Sequence, residues 1–191
     1  MRTIIEKLCT EHLRLARLVR LLNGHSCQRT DASAPNIALL VDALCYLTRF
    51  PDISHHVIED RMVEKLLAKK ALSVEFGHEI ETQHQTLIRD GRDLLQDLES
   101  AVRGENMSQE LVDSRVQLYA ERLRHNMVIE ELTLFPAAEK NLNDEDWSEI
   151  ENAGAYGQAD PLFEGAVDER FAQLYRVITA EATVASVEEP F

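Results

Sequence analysis

The chain has 191 residues, with 34 acidic and 20 basic side chains and a formal net charge of −14. This length favours one domain, or one domain with an appendage, and 45% hydrophobic residues are enough for a packed core. The negative charge argues against nucleic acid or an anionic membrane as a partner, because clustered Lys and Arg recognise both. Seven Gly and five Pro, with few alternating β-branched runs, favour helices over sheets.

Targeting and redox signals are weak. There is no apolar run of 18 residues, and the first residues are charged every few positions. We therefore expect neither a membrane span nor a signal peptide, and a cytoplasmic location. Cys9, Cys27 and Cys45 form no CxxC pair, which indicates reduced thiols rather than disulfides or a thiolate zinc site.

The first segment has apolar spacing of three and four residues, which predicts a helix with one buried face. The positions on this face are Ile5, Leu8, His12, Leu15, Val19 and Leu22. His12 therefore occupies a core position. We expect Gly24 to end the helix and residues 26–36 to form a loop.

A second helical pattern runs from about residue 37 to residue 70. Pro51 lacks a backbone donor and clashes with the preceding turn, so a kink or break is expected at Phe50–Pro51. Beyond it, two pairs are spaced by four residues, His55 with Glu59 and His56 with Asp60. They lie about 100° apart on a regular helix, so only one pair can face the core. Because Met62 and Leu66 extend the face of His55 and Glu59, we favour that pair, with His56 and Asp60 at the rim.

The third and fourth patterns also carry ionisable residues on apolar faces. The third face consists of Ile80, His84, Leu87, Gly91, Leu94 and Leu98. The fourth runs from Ser108 to about Lys140 through Val112, Val116, Tyr119, Leu123, Met127, Glu130, Leu134 and Ala137. A histidine and a glutamate thus replace apolar residues at buried positions.

Four long helices with short connections predict an all-α protein, an up-down-up-down four-helix bundle over residues 1–142. Residues 143–191 are expected to form a C-terminal extension packed on the bundle, with a short turn around Trp147 and one helix near residues 163–181. This appended helix could serve as a lid or as the interface of a homodimer.

The four helices bring six ionisable side chains toward the bundle axis. They are His12, His55, Glu59, His84, His125 and Glu130. Burying so many ionisable groups requires a compensating charge, which a metal centre supplies. Imidazole and carboxylate without thiolate favour iron or manganese, with zinc as an alternative. Two carboxylates able to bridge, Glu59 and Glu130, indicate two ions.

Four motifs carry a family resemblance. The segments TEHLRL, FPDISHHVIED, EIETQHQTL and HNMVIEELTLFPAAEKNLNDEDW resemble the hemerythrin HHE cation-binding domain family, in its stand-alone bacterial form, over residues 1–150. The resemblance implies a four-helix bundle with a non-haem di-iron site. The ligands it implies are His12, His55, Glu59, His84, His125 and Glu130.

Two features depart from the oxygen-carrying hemerythrins. Those proteins have two histidines four residues apart on the third helix, whereas Ile80 and Ile88 flank His84 here, which implies a more open coordination sphere. His125 stands five residues before Glu130, about 140° around a regular helix, so it needs a local bulge to reach the site. Hemerythrins use this five-residue spacing, which favours His125, with Asn126 as the alternative neighbour of the site.

The expected function is a di-iron protein that binds or senses O₂, NO or iron, with a small diatomic or peroxide ligand at its open positions. The alternative is a di-iron enzyme acting on peroxide or nitric oxide, or an iron donor for damaged iron centres, as in some relatives. Tyr46 and Phe50, one helical turn apart, could line a path to the metal, although packing is the favoured role.

Overall fold

The computed structural model describes residues 3–27, 37–103, 108–152 and 160–185, and within these ranges every regular element is a helix. The all-α prediction is therefore confirmed. Among the described helices, none contains an apolar stretch of the length that a membrane span requires. The α-helices are α1 (Thr3–Cys27), α2 (Ile37–Leu47), α3 (His56–Ala68), α4 (Val74–Val102), α5 (Gln109–Ile129), α6 (Phe135–Asn141), α7 (Asp144–Asn152) and α8 (Ala172–Ala185).

Helix α1 continues three residues beyond the predicted end at Gly24. Gly24 lies inside the helix with a negative φ, and a Cβ added there would meet nothing within 4 Å. A glycine ends a helix when it adopts the left-handed conformation, and this one does not. The remainder of the predicted loop, residues 28–36, lies outside the described residues.

The predicted interruption at Phe50–Pro51 is present, and it is a π-helical turn. Helix α2 ends at Leu47, and Pro51–His55 form a first π-turn that leads directly into α3. The N–H of His56 donates to the carbonyl of Pro51, five residues back. Pro51 cannot donate to the preceding turn, so the chain widens there and α3 begins with a new face.

A second π-turn, Glu130–Leu134, divides the fourth predicted helix, which was expected to be continuous. The N–H of Phe135 donates to the carbonyl of Glu130, and Pro136 lies in the first turn of α6. A proline ring clashes with the carbonyl four residues earlier, here that of Leu132, which explains the widened turn. Both π-turns contain or adjoin residues predicted to bind metal, a common setting for such turns.

The apolar core consists of two clusters, and ionisable side chains lie between them. Along α1, Leu8 belongs to one cluster and Leu15 to the other, with His12 between. Along α4, Ile80 and Leu87 belong to different clusters in the same way, and His84 lies between them. Because this order repeats on α1 and α4, which both pack on α5, the ionisable groups form a polar layer across the interior.

The extension packs on the rest of the chain at two places. Trp147 and Ile150 of α7 join the apolar cluster beside α3. Phe171, Leu174 and Ile178, at the start and on one face of α8, join the other cluster beside α1 and α2. The 3₁₀ turn Glu169–Phe171 leads into α8. Both clusters therefore extend across residue 142, where the sequence predicts a domain boundary.

Candidate metal centre

Five of the six predicted donors meet in one buried cluster. His12 comes from α1, His55 from the end of the first π-turn, Glu59 from α3, His84 from α4 and Glu130 from the start of the second π-turn. Their exposed fractions lie between 0% and 3%, which is rare for carboxylates unless they are paired. The spacing of three and four residues on each helix places them in the polar layer.

Each of the three imidazoles has one nitrogen fixed by a carboxylate. Nδ1 of His12 lies 2.8 Å from Glu131, Nδ1 of His55 lies 2.7 Å from Glu11, and Nδ1 of His84 lies 2.8 Å from Asp60. A carboxylate can only accept, so Nδ1–H donates in every case. This arrangement directs Nε2 inward and is the usual support for a histidine that binds a metal through Nε2.

The carboxylates Glu11, Asp60 and Glu131 follow a simple rule. Each is the immediate sequence neighbour of a buried donor, yet it bonds to an imidazole from a different helix. Asp60 was expected at the rim, and it is partly buried there. Glu11 and Glu131 were not predicted, although the dipeptides Glu11-His12 and Glu130-Glu131 are the signal that could have identified them.

The three Nε2 atoms converge on Glu59 and Glu130. Nε2 of His12 lies 2.9 Å from Nε2 of His55, and Nε2 of His55 lies 3.1 Å from Oε1 of Glu59. On the other side, Nε2 of His84 lies 2.9 Å from Oε1 of Glu130 and 3.5 Å from Oε2 of Glu59. Donor atoms from α1, α3, α4 and the two π-turns therefore point at one small volume.

Burial and charge shift the pKa values of these groups strongly. Burial alone would lower the pKa of His55, but the charge of Glu59 and the hydrogen bond to Glu11 outweigh it and raise this pKa to about 10. For His84, the bonds to Asp60 and Glu130 likewise outweigh burial and raise the pKa to about 10. Burial, together with the charge of Glu59, raises the pKa of Glu130 to about 7.

The donor set fits a metal ion better than it fits a closed hydrogen-bond network. Both oxygens of Glu59 and Oε2 of Glu130 are buried and accept no hydrogen bond from any described residue. Such atoms cost free energy unless something compensates them. With Nδ1–H committed to carboxylates, the facing Nε2 atoms of His12 and His55 need a cation between them, which is a proton while the raised pKa of His55 keeps it charged, or a metal ion in its place. Imidazole and carboxylate donors are typical of iron, manganese or zinc.

The structure does not bring His125 to the cluster. Its side chain is exposed, which contradicts the expectation that a bulge would turn it inward. Helix α5 is regular as far as Ile129, and the π-turn begins only at Glu130, too late to rotate His125. Asn126, the predicted alternative, is buried instead, and its amide donates to Oε1 of Glu130 at 2.8 Å.

A cavity of about 450 Å³ lies beside the cluster. His55 and Glu11 form part of its wall, together with Tyr46, Phe50, Asp160 and Glu164. The rings of Tyr46 and Phe50 stack with their centroids 5.3 Å apart, and the Tyr46 hydroxyl donates to Asp160 at 2.8 Å. These two aromatic residues therefore both pack and line a space next to the centre.

The described part of the chain is thus a helical protein with a buried histidine–carboxylate cluster that could hold metal. Comparison with known families matches residues 3–138 to the hemerythrin HHE cation binding domain. The chain therefore belongs to the hemerythrin HHE cation-binding domain family. No curated protein and no solved structure matches the chain.

Proposed function

We propose that this protein is a hemerythrin-type protein that holds two iron ions in the polar layer. The observation that carries the proposal is the orientation of the two buried carboxylates. Oε1 of Glu59 faces His12 and His55, while Oε2 faces His84. Oε2 of Glu130 faces His12, while Oε1 faces His84. The cluster thus has two halves, one with His12 and His55 and the other with His84. Each carboxylate offers one oxygen to each half, as bridging ligands of a binuclear site do.

The proposed architecture is an up-down-up-down four-helix bundle formed by α1, α2 with α3, α4, and α5 with α6. The contacts of α1 with α5, of α2 and α3 with α4, and of α4 with α5 support it. The proposed ligands are His12, His55, Glu59, His84 and Glu130. Manganese or zinc would suit the same donors, and the absence of thiolate in the set favours iron over zinc.

Two bound iron ions would supply reversible redox chemistry and coordination positions for a small diatomic or peroxide ligand. The chain's own residues determine what reaches that position. The apolar clusters on both sides of the polar layer exclude bulk water. Glu11, Asp60 and Glu131 hold the imidazoles in one tautomer. The cavity beside His55 gives a small molecule a place next to the centre.

Metal analysis together with a visible spectrum tests this proposal. Protein from iron-replete cells should contain about two equivalents of iron, and azide should alter its charge-transfer bands. Glu59→Gln keeps the size of the side chain but removes its charge, so iron content should fall sharply. His125→Gln is the matched control, because His125 is exposed and should leave iron content unchanged. Wild-type protein that takes up no iron on adding Fe²⁺ and air would refute the proposal.

A turnover assay separates a binding or sensing protein from the alternative enzyme. A binding protein consumes peroxide or nitric oxide only in proportion to its iron, whereas an enzyme continues for many equivalents. We favour binding or sensing. Sustained consumption that Glu59→Gln abolishes would replace this function with an enzymatic one at the same site.

A further inference from the structure

His56 is buried in the polar layer although it is the sequence neighbour of His55. The exposed fractions of the two side chains are 3% for His55 and 4% for His56. Neighbours on a regular helix point about 100° apart, so one of them would normally face outward. Here the first π-turn ends at His55 and α3 begins at His56, so both imidazoles turn inward.

The two histidines belong to different halves of the cluster. Donor atoms of His12, His55, Glu59 and Glu130 lie within 4.8 Å of one another, and so do donor atoms of His56, Glu59 and His84. The ring of His56 stacks on that of His84, with centroids 4.2 Å apart and an angle of 18° between the planes. The imidazoles from α3 and α4 therefore approach the second half side by side.

Without His56 the second half is poor in nitrogen donors. Of the described residues other than His56, two imidazoles belong to the first half, whereas His84 alone joins the two carboxylates in the second. Asn126 donates to Glu130 from α5, and His78 and His125 are exposed. On α4, isoleucine stands four residues to either side of His84. Among the side chains that the structure describes, the further buried imidazole within reach of this half is that of His56.

We propose that His56 is a ligand of the second metal ion, which it holds together with His84, Glu59 and Glu130. This inference rests on the proposed metal site. Each half then has two imidazoles and one oxygen from each bridging carboxylate, so the two ions have matching donor sets. The π-turn before His56 supplies the donor that a histidine on α4 or α5 would otherwise provide.

Anaerobic titration with Fe²⁺ against a competing chelator, with iron counted after gel filtration, tests the role of His56. His56→Phe keeps an aromatic ring to stack on His84 but removes the donor nitrogen. His125→Phe is the matched control on an exposed histidine. We expect wild type and the control to hold two equivalents. In His56→Phe the second equivalent should bind at least about tenfold more weakly, and the first should be unchanged.

Three outcomes are distinct. If wild type takes up no iron, the proposed function itself fails. If wild type holds two ions and His56→Phe holds two with the same affinities, His56 is a packing residue and the inference is overturned. Wild type with a single equivalent overturns it as well. Should circular dichroism show that His56→Phe does not fold, the same comparison is made with His56→Gln, which is smaller and uncharged, and the same criteria apply.

Discussion

Replacing Tyr46 with phenylalanine should measure how firmly the extension is held on the rest of the chain. Tyr46 of α2 is 4% exposed, and its hydroxyl donates to Oδ2 of Asp160 at 2.8 Å. Phenylalanine keeps the ring and its contacts with Phe50, Phe163 and Phe171. The substitution therefore removes one hydrogen bond between the two parts and little else.

The expected loss in the free energy of unfolding depends on the hydrogen bonds and the ion pair that Asp160 retains in the variant. A hydrogen bond to a charged group contributes about 1.5–3 kcal/mol. In the variant, Asp160 still accepts from the N–H groups of Leu162 and Phe163, and Arg14 remains 3.5 Å away. The carboxylate is thus not left without partners, which places the loss near the lower limit, about 1.5 kcal/mol. For a chain of this length, that loss lowers Tm by roughly 3–6 °C.

Thermal and urea unfolding, followed by circular dichroism, should show the loss in Tyr46→Phe. Tyr175→Phe is the matched control, since Tyr175 is exposed on α8 and its substitution should change Tm by less than about 1 °C. In a double-mutant cycle with Asp160→Ala, a coupling energy of about 1.5 kcal/mol would assign the loss to this bond. Equal Tm values for the two tyrosine variants would refute the reasoning.

Gly91→Ala should destabilise the fold by about 1–3 kcal/mol, because the added Cβ would lie 2.8 Å from Cγ2 of Thr48. Gly24→Ala should stabilise the fold by up to about 1 kcal/mol, because alanine favours the helix and its Cβ would meet nothing within 4 Å. Chemical denaturation measures both, and a destabilising Gly24→Ala would contradict this account. Metal-free protein should lose stability as pH rises from about 6.5 to 10. The raised pKa values of His55 and His84 stabilise the fold fully below about pH 6.5, and this stabilisation is lost as pH rises to about 10. A metal-free Tm that is constant over this range would contradict those pKa values. Removing metal with a chelator should lower Tm by roughly 5–10 °C, which is the stabilisation expected from a ligand at about a hundred times its Kd. Identical melting curves before and after the chelator would show that no metal had been bound.

The sequence predicted the polar layer well because the layer lies on regular helices. Spacing of three and four residues placed His12 between Leu8 and Leu15, and His84 between Ile80 and Leu87. Both histidines and the four apolar residues beside them are buried. Periodicity shows which residues share a helix face. On a straight helix, the face alone determines whether a donor points toward the core.

The positions of His56 and His125 could not be predicted in this way. A wider turn changes the angle between successive residues, so helical phase measured on one side no longer applies on the other. His56 was expected at the rim and is buried, because the first π-turn ends at His55. His125 was expected to turn inward and is exposed, because the second π-turn begins at Glu130 and leaves α5 regular before it. Both prolines were visible in the sequence, but the residue at which each wide turn starts depends on tertiary packing.

The charge of the layer explains why protons and metal ions should compete for it. The layer contains five carboxylates, those of Glu11, Glu59, Asp60, Glu130 and Glu131. With neutral imidazoles and all five carboxylates ionised, it would carry five negative charges in or beside a buried volume. In the metal-free chain, pKa values of about 10 at His55 and His84 keep protons there that offset part of this charge. Two divalent ions would offset four charges and displace those protons, so metal binding near neutral pH should release protons. The raised pKa values of the imidazoles and the proposed metal affinity would thus have one cause, the surplus of carboxylates in and around the polar layer.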